Sequence, residues 1–251
     1  VPGPPNDIGL VRFNAPVLNE LGQVAFQASI GMDGIRVGEA VDAVFLGDSE
    51  GLEFIAQFGM QVGDANDGLT FAGISQPTPT LNDSGQVAFR GTAVLEGVPI
   101  GQSIRDVIYT GTTSSLNAVA LEGQAAPGPP GTGGFIRFFE LVFNAAGQSA
   151  FIADLPADFS GNGIIVAEAN GGLASAALSN QQAPGTPDGV LVSSMTRPVL
   201  NGPGEVAFNA SLAGSGVDAS NQFAVFAGRP GSLNLIARVG DQVPGLAPGV
   251  S

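Results

Sequence analysis

The chain has 251 residues, no Cys, His, Trp or Lys, and a net charge of −14 from 22 acidic side chains set against eight arginines. Without Cys or His there is no disulfide, thiolate metal site, or Ser-His or Cys-His nucleophile pair, and without Lys there is no Schiff-base chemistry. The acidity disfavours nucleic acid and anionic membranes as partners but permits divalent cations, and no apolar run reaches the roughly 18 residues of a membrane helix.

Hydrophobic residues at 44% argue against disorder, and 38 Gly with 18 Pro fit a chain of many turns. No segment carries a helical period, so the expected class is all-β. In chain order, the first strands are expected over residues 11–18, 23–29, 43–46 and 53–58. The second set covers 69–74 extending towards Leu81, then 86–91, 107–110 and 117–121. The third covers 135–143, 148–153, 164–167 and 174–178, and the fourth 190–200, 205–211, 224–227 and 233–239. Four strands per repeat is the size of a propeller blade. The expected architecture is a β-propeller-like array of four four-stranded blades in one repeat domain, 1–251. Blades fall near 1–61, 62–124, 125–182 and 183–242, and 243–251 starts the next repeat phase.

The repeat is set by one stretch. Leu81-Asn82-Asp83-Ser84-Gly85-Gln86-Val87-Ala88-Phe89 returns as Leu18 to Phe26, Phe143 to Phe151 and Leu200 to Phe208. Each copy has Asn followed three residues later by Gly: Asn19/Gly22, Asn82/Gly85, Asn144/Gly147 and Asn201/Gly204. Asn first and Gly fourth suits a type I turn, with the Asn amide bonding back to the backbone two residues on. The short run after each turn is apolar on both faces, as in a strand covered on both sides. Phe fills volume on one face, and Ala lets a neighbouring sheet approach on the other.

The chain starts with Val1 in place of Met, as a processed chain or an excised segment would, and both ends fall at the same repeat phase. Closure as a four-bladed ring, a section of a larger propeller, and polymers built through end blades are all open. The loops between second and third strands, 31–42, 94–106, 156–163 and 213–222, vary most and are the natural place for binding.

The shared core, Asn-x-x-Gly-x-x-Ala-Phe, is followed in each repeat by a segment like Leu235-Ile236-Ala237-Arg238-Val239-Gly240-Asp241. This resembles a family of secreted bacterial tandem-repeat proteins named for the eight-residue pattern. The resemblance covers essentially the whole chain. It implies a propeller-like fold and an extracellular or cell-surface location, and it brings no catalytic residues with it.

Asp158, Ser160 and Asn162 stand at alternate positions before Gly163, the opening spacing of a calcium loop; Ala169 replaces the bidentate Glu of an EF-hand. Asp64 and Asn66 before Gly68 form a weaker second candidate. Asn82 and Asn209 match the N-glycosylation pattern. Tyr109, the single tyrosine, shares a strand column with Phe45 and Phe226 and reads as core, not as a sialidase-type nucleophile. The function expected is a non-enzymatic extracellular structural or self-assembling surface unit. The alternatives are a ligand- or glycan-binding module supported by calcium, and a glycosidase using two carboxylates.

Overall fold

The computed structural model describes residues 8–32, 41–63, 68–76, 78–99, 103–156 and 161–245. These residues form four antiparallel sheets, one per repeat, and no helix. The first sheet holds β1 (Ile8–Phe13), β2 (Val17–Leu18), β3 (Val24–Met32), β4 (Val41–Gly47) and β5 (Leu52–Gln57), in the order β1-β3-β4-β5 with β2 also paired to β3. The second holds β6 (Leu69–Ile74), β7 (Thr80–Leu81), β8 (Val87–Leu95), β9 (Ile104–Thr112) and β10 (Ser115–Leu121) in the same arrangement. The third is β11 (Arg137–Phe143), β12 (Ser149–Leu155), β13 (Gly161–Ala167) and β14 (Leu173–Leu178). The fourth is β15 (Val190–Met195), β16 (Val199–Leu200), β17 (Val206–Gly214), β18 (Phe223–Arg229) and β19 (Ser232–Arg238).

The first strand of a repeat differs from its sequence reading. In three repeats it breaks into a long and a short piece, and the gaps contain Pro16, Pro79 and Pro198. Proline lacks the N–H that a ladder needs, so the strand leaves the sheet and rejoins it. Repeat three has no proline there, and β11 runs unbroken. It absorbs the offset as a bulge instead: the register shifts between Phe139 and Val142, and Glu140 adopts a φ of 51°.

The chain divides into two compact units, Val1–Glu122 and Gly123–Ser251, each holding two sheets and its own core. In the first unit, Ala25, Val44, Leu46 and Ile55 of the first sheet pack with Phe71, Val87, Phe89 and Tyr109 of the second. In the second unit, Ala150, Ile152, Ile164 and Val166 of the third sheet pack with Val192, Val206, Phe208 and Phe226 of the fourth. The same rule operates in both: the small and branched face of one sheet meets the aromatic face of the next. Register enforces it. Phe26, Phe89, Phe151 and Phe208 lie opposite Phe45, Tyr109, Ile165 and Phe226, so each motif Phe stands in a cross-strand pair. Burying one such ring contributes about 1.5–3 kcal/mol.

Candidate functional site

Each motif folds as the turn its residues require. Gly22, Gly85, Gly147 and Gly204 donate their N–H to the carbonyl of the Asn three residues earlier, at 3.1–3.2 Å, with φ between +72° and +85°. That φ is open to Gly at no steric cost. Asn19 Oδ1 accepts the N–H of Leu21 and Gln23, Asn82 Oδ1 those of Ser84 and Gln86, and Asn144 Oδ1 those of Ala146 and Gln148. Asn201 differs. Pro203 has no N–H to offer, so Asn201 Oδ1 holds Glu205 N alone, at 2.8 Å.

The amide nitrogens reach further. Asn19 Nδ2 donates to the carbonyl of Asn82, one repeat later, at 3.0 Å, and Asn144 Nδ2 to that of Asn201 at 2.8 Å. Glu20 N–H adds a bond to Asp83 Oδ1 at 3.0 Å. The side chains of Gln23 and Gln148 lie against Gly85 and Gly204 of the following repeats. Within each unit the motif is therefore a joint between neighbouring sheets as well as a turn. Asn19, Asn82 and Asn144 are buried and Asn201 is exposed.

A cleft of about 460 Å³ opens in the first unit beside this joint. Asp48, Glu50 and Glu53, from the β4–β5 turn and the start of β5, give it an acidic wall. The second sheet faces them with Ser84, Gly85, Thr112 and Thr113. The turn is self-supporting: Asp48 N–H donates to the Gly51 carbonyl, and Asp48 Oδ1 accepts Glu50 N–H at 2.8 Å. All three carboxylates stand on one wall with hydroxyls opposite, whereas acid-pair glycoside hydrolysis needs two carboxylates flanking the scissile bond. Nothing in the sequence singles out these acids, because the cleft needs a neighbouring sheet to form.

The other surface features lie on sheet faces. The first sheet carries an aromatic ladder, Phe13–Phe26–Phe45–Phe54, with ring centroids 5.8, 5.4 and 4.7 Å apart. It lies on the face that does not meet the second sheet; Phe13 is 60% and Phe54 39% exposed. The fourth sheet bears Val199, Val225 and Ile236 on its outer face, at 63%, 36% and 60% exposure. There a shallow depression of about 370 Å³ is floored by Ala207 and Ala227 and bounded by Asn201 and Glu205.

Of the calcium-type triplet, Asp158 and Ser160 lie outside the described residues, as do Asp64 and Asn66. Asn162 is a residue of β13 paired with Asp154, and its Oδ1 and carbonyl both face the Ser179 hydroxyl, at 3.1 and 2.9 Å. Among the described residues no group of three or more acidic side chains is arranged to hold a metal ion. Tyr109 is fully buried, stacks on Phe89 at 5.1 Å and donates its hydroxyl to the Thr92 carbonyl at 3.0 Å. Burial and then the charge of Asp106 raise its pKa, which suits a core residue and not a nucleophile. Of the variable loops, 213–222 is wholly described. Asp218 accepts the hydroxyl and the N–H of Ser220, and those bonds hold its carboxyl below its ordinary value. Among the described residues no helix is long and apolar enough to cross a membrane.

No functionally curated protein matches the chain. A solved structure titled as a protein of unknown function from Dyadobacter fermentans DSM 18053 shares 10% identity, with a TM-score of 0.38. The match covers 85% of this chain and 64% of that one, so the chain spans a little under two thirds of its length. A likeness this distant carries no argument about fold or activity. A family model does match from end to end, over residues 2–159 and 156–251, and the chain belongs to that family, DUF7453, a family of unknown function.

Proposed function

We propose that this chain is a non-enzymatic structural unit of the extracellular space that works by having its outer sheet faces covered. One observation carries the reading. The column that buries Phe89 and Tyr109 inside the first unit, and Phe208 and Phe226 inside the second, carries in the first sheet the ladder Phe13–Phe26–Phe45–Phe54, in which Phe45 is buried but the end rings Phe13 and Phe54 are 60% and 39% exposed. Exposed apolar patches of this kind mark interaction surfaces. The extracellular setting is supported by the resemblance to secreted tandem-repeat proteins.

A ligand-binding module is the second reading, favoured by the acidic cleft around Asp48, Glu50 and Glu53. Tight turns form that cleft, and among the described residues no aromatic ring and no residue of a variable loop lines it. A polar sugar or a hydrated cation suits it better than an apolar ligand.

Sedimentation and electron microscopy of the purified chain over a hundredfold concentration range, with and without calcium chelation, test the first reading. Assemblies that dissociate on Phe54→Ser support it, and their loss on chelation alone would give calcium a structural role. Discrete monomers under every condition, unaffected by Phe54→Ser, would overturn it and favour the cleft.

A further inference from the structure

We infer that Asn201-Gly202 is a self-modifying site: the Asn201 side chain loses its amide spontaneously by ring closure onto the Gly202 nitrogen, and the product unfastens the joint between the third and fourth sheets. The reaction needs a side-chain amide, a following backbone N–H that is free to attack, and room for a five-membered ring. Glycine after Asn meets the last two needs best, because it has no Cβ to crowd its own nitrogen. Among the four motif turns only the last has Gly there; the others have Glu20, Asp83 and Ala145.

Asn201 lacks what holds the other three copies still. Asn19, Asn82 and Asn144 are buried, and each Oδ1 accepts two N–H groups. Asn201 is exposed, and Pro203 leaves its Oδ1 with the Glu205 N–H alone. Its Nδ2 donates to Glu205 Oε2 in a second exposed bond. In the first turn the N–H that would attack, that of Glu20, is tied to Asp83 Oδ1. The Gly202 N–H has no hydrogen-bond partner among the described residues, and nothing lies within 4 Å of a Cβ built on Gly202. The two other Asn-Gly steps of the chain are held. Asn162 is a residue of β13 whose Oδ1 faces the Ser179 hydroxyl, and Gly163 is buried. After Asn170, the Gly171 N–H donates to the Glu168 carbonyl at 2.9 Å.

The step balances with water as the sole co-reactant. Gly202 N bonds to Asn201 Cγ, the Cγ–Nδ2 bond breaks, and the departing amide nitrogen takes the Gly202 proton and leaves as ammonia. Water then opens the ring at either carbonyl. Opening at Cγ gives Asp; opening at the main-chain carbonyl gives isoaspartate, in which the backbone runs through Cγ. That main-chain carbonyl is the one the joint uses: it accepts Asn144 Nδ2 at 2.8 Å and the Gly204 N–H at 3.1 Å. In isoaspartate it becomes a free carboxylate, and an extra methylene enters the turn. Either product also replaces the amide that donates to Glu205 with a negative charge.

Full-length chain is incubated in mildly alkaline buffer. Peptide mass spectrometry follows the amides of Asn162, Asn170 and Asn201, and urea denaturation follows stability on the same samples. Freeing a bonded N–H slows attack about fivefold, so Asn201 is expected to convert about fivefold or more faster than Asn170, with the urea midpoint falling as conversion proceeds. Gly202→Ala has room for its methyl, places there the residue that the third repeat has as Ala145, and is expected to stop both changes. Asn201 that keeps its amide as long as Asn170 does overturns the inference. A midpoint that stays fixed while Asn201 converts, or that falls equally in Gly202→Ala, overturns the effect on the joint.

Discussion

Asn144 Nδ2 donates to the carbonyl oxygen of Asn201 at 2.8 Å, joining two turns that are 57 residues apart in the chain. The same amide group accepts the N–H of Ala146 and Gln148 and donates to Gln148 Oε1. One buried side chain thus closes its own turn and fastens the next sheet. A conserved geometry within the chain, Asn19 to Asn82 at 3.0 Å, shows that this is a rule of the repeat and not a local accident.

Asn144→Ala removes both roles and takes their partner from the Ala146 and Gln148 N–H groups, in part-buried bonds, and from the Asn201 carbonyl. A net hydrogen bond is worth about 1 kcal/mol and an orphaned buried group costs about 1–3 kcal/mol, so the expected loss is about 2–3 kcal/mol. Asn201→Ala, at an exposed turn, loses about 1 kcal/mol by the same rule. Urea denaturation of the two variants checks the ordering; equal losses would mean that the inter-sheet bond is worth nothing.

Ser149 stands where the other repeats have Val24, Val87 and Val206, and its hydroxyl is buried without a hydrogen-bond partner. Ser149→Val replaces an unpaired polar group with the side chain that the repeat otherwise uses. The expected gain is about 1 kcal/mol, seen as a higher urea midpoint with an unchanged slope.

Phe89→Ala empties a core position that is 1% exposed and is expected to cost roughly 3–5 kcal/mol. Phe13→Ala removes a ring that is 60% exposed and touches Phe26, at a cost of about 1 kcal/mol or less in the isolated chain. Thermal unfolding at low protein concentration separates the two. A Phe89→Ala cost near zero would show that the motif Phe is not buried.

Tyr109 is the only tyrosine, and with no tryptophan present its phenolate absorbance is an unmixed signal. Its pKa is raised, mainly by burial and secondly by Asp106. The sign follows: the folded state holds the proton where the unfolded chain releases it. Stability from this group is complete below its ordinary value of 10.0 and falls as pH rises above it. The folded chain is therefore expected to show no phenolate near pH 10, and ionisation is expected to coincide with alkaline unfolding. A reversible titration at pH 10 with the fold intact would show Tyr109 to be solvated.

Much of the fold is legible in the chain because its repeat is strong. Asn and Gly three apart dictate a turn, and the run after them dictates a strand apolar on both faces. The absent residue types rule out whole classes of chemistry. Tyr109 reads as core from its column, and the structure places it there. The continuous first strands are the misreading: alternating apolar residues flank Pro16 and Pro198, and the missing N–H of proline outweighs the pattern.

Tertiary structure decided what no window of sequence contains. How deeply a Phe of the repeat is buried depends on the sheet beside it, so Phe89 and Phe26 read alike and end up fully and only partly buried. The acidic wall of Asp48, Glu50 and Glu53 becomes a cleft only where the second sheet faces it. The reach of Asn144 to Asn201 depends on two turns arriving side by side. Local propensity is written residue by residue and can be read that way; burial and pairing are properties of surfaces that exist only once the sheets have met.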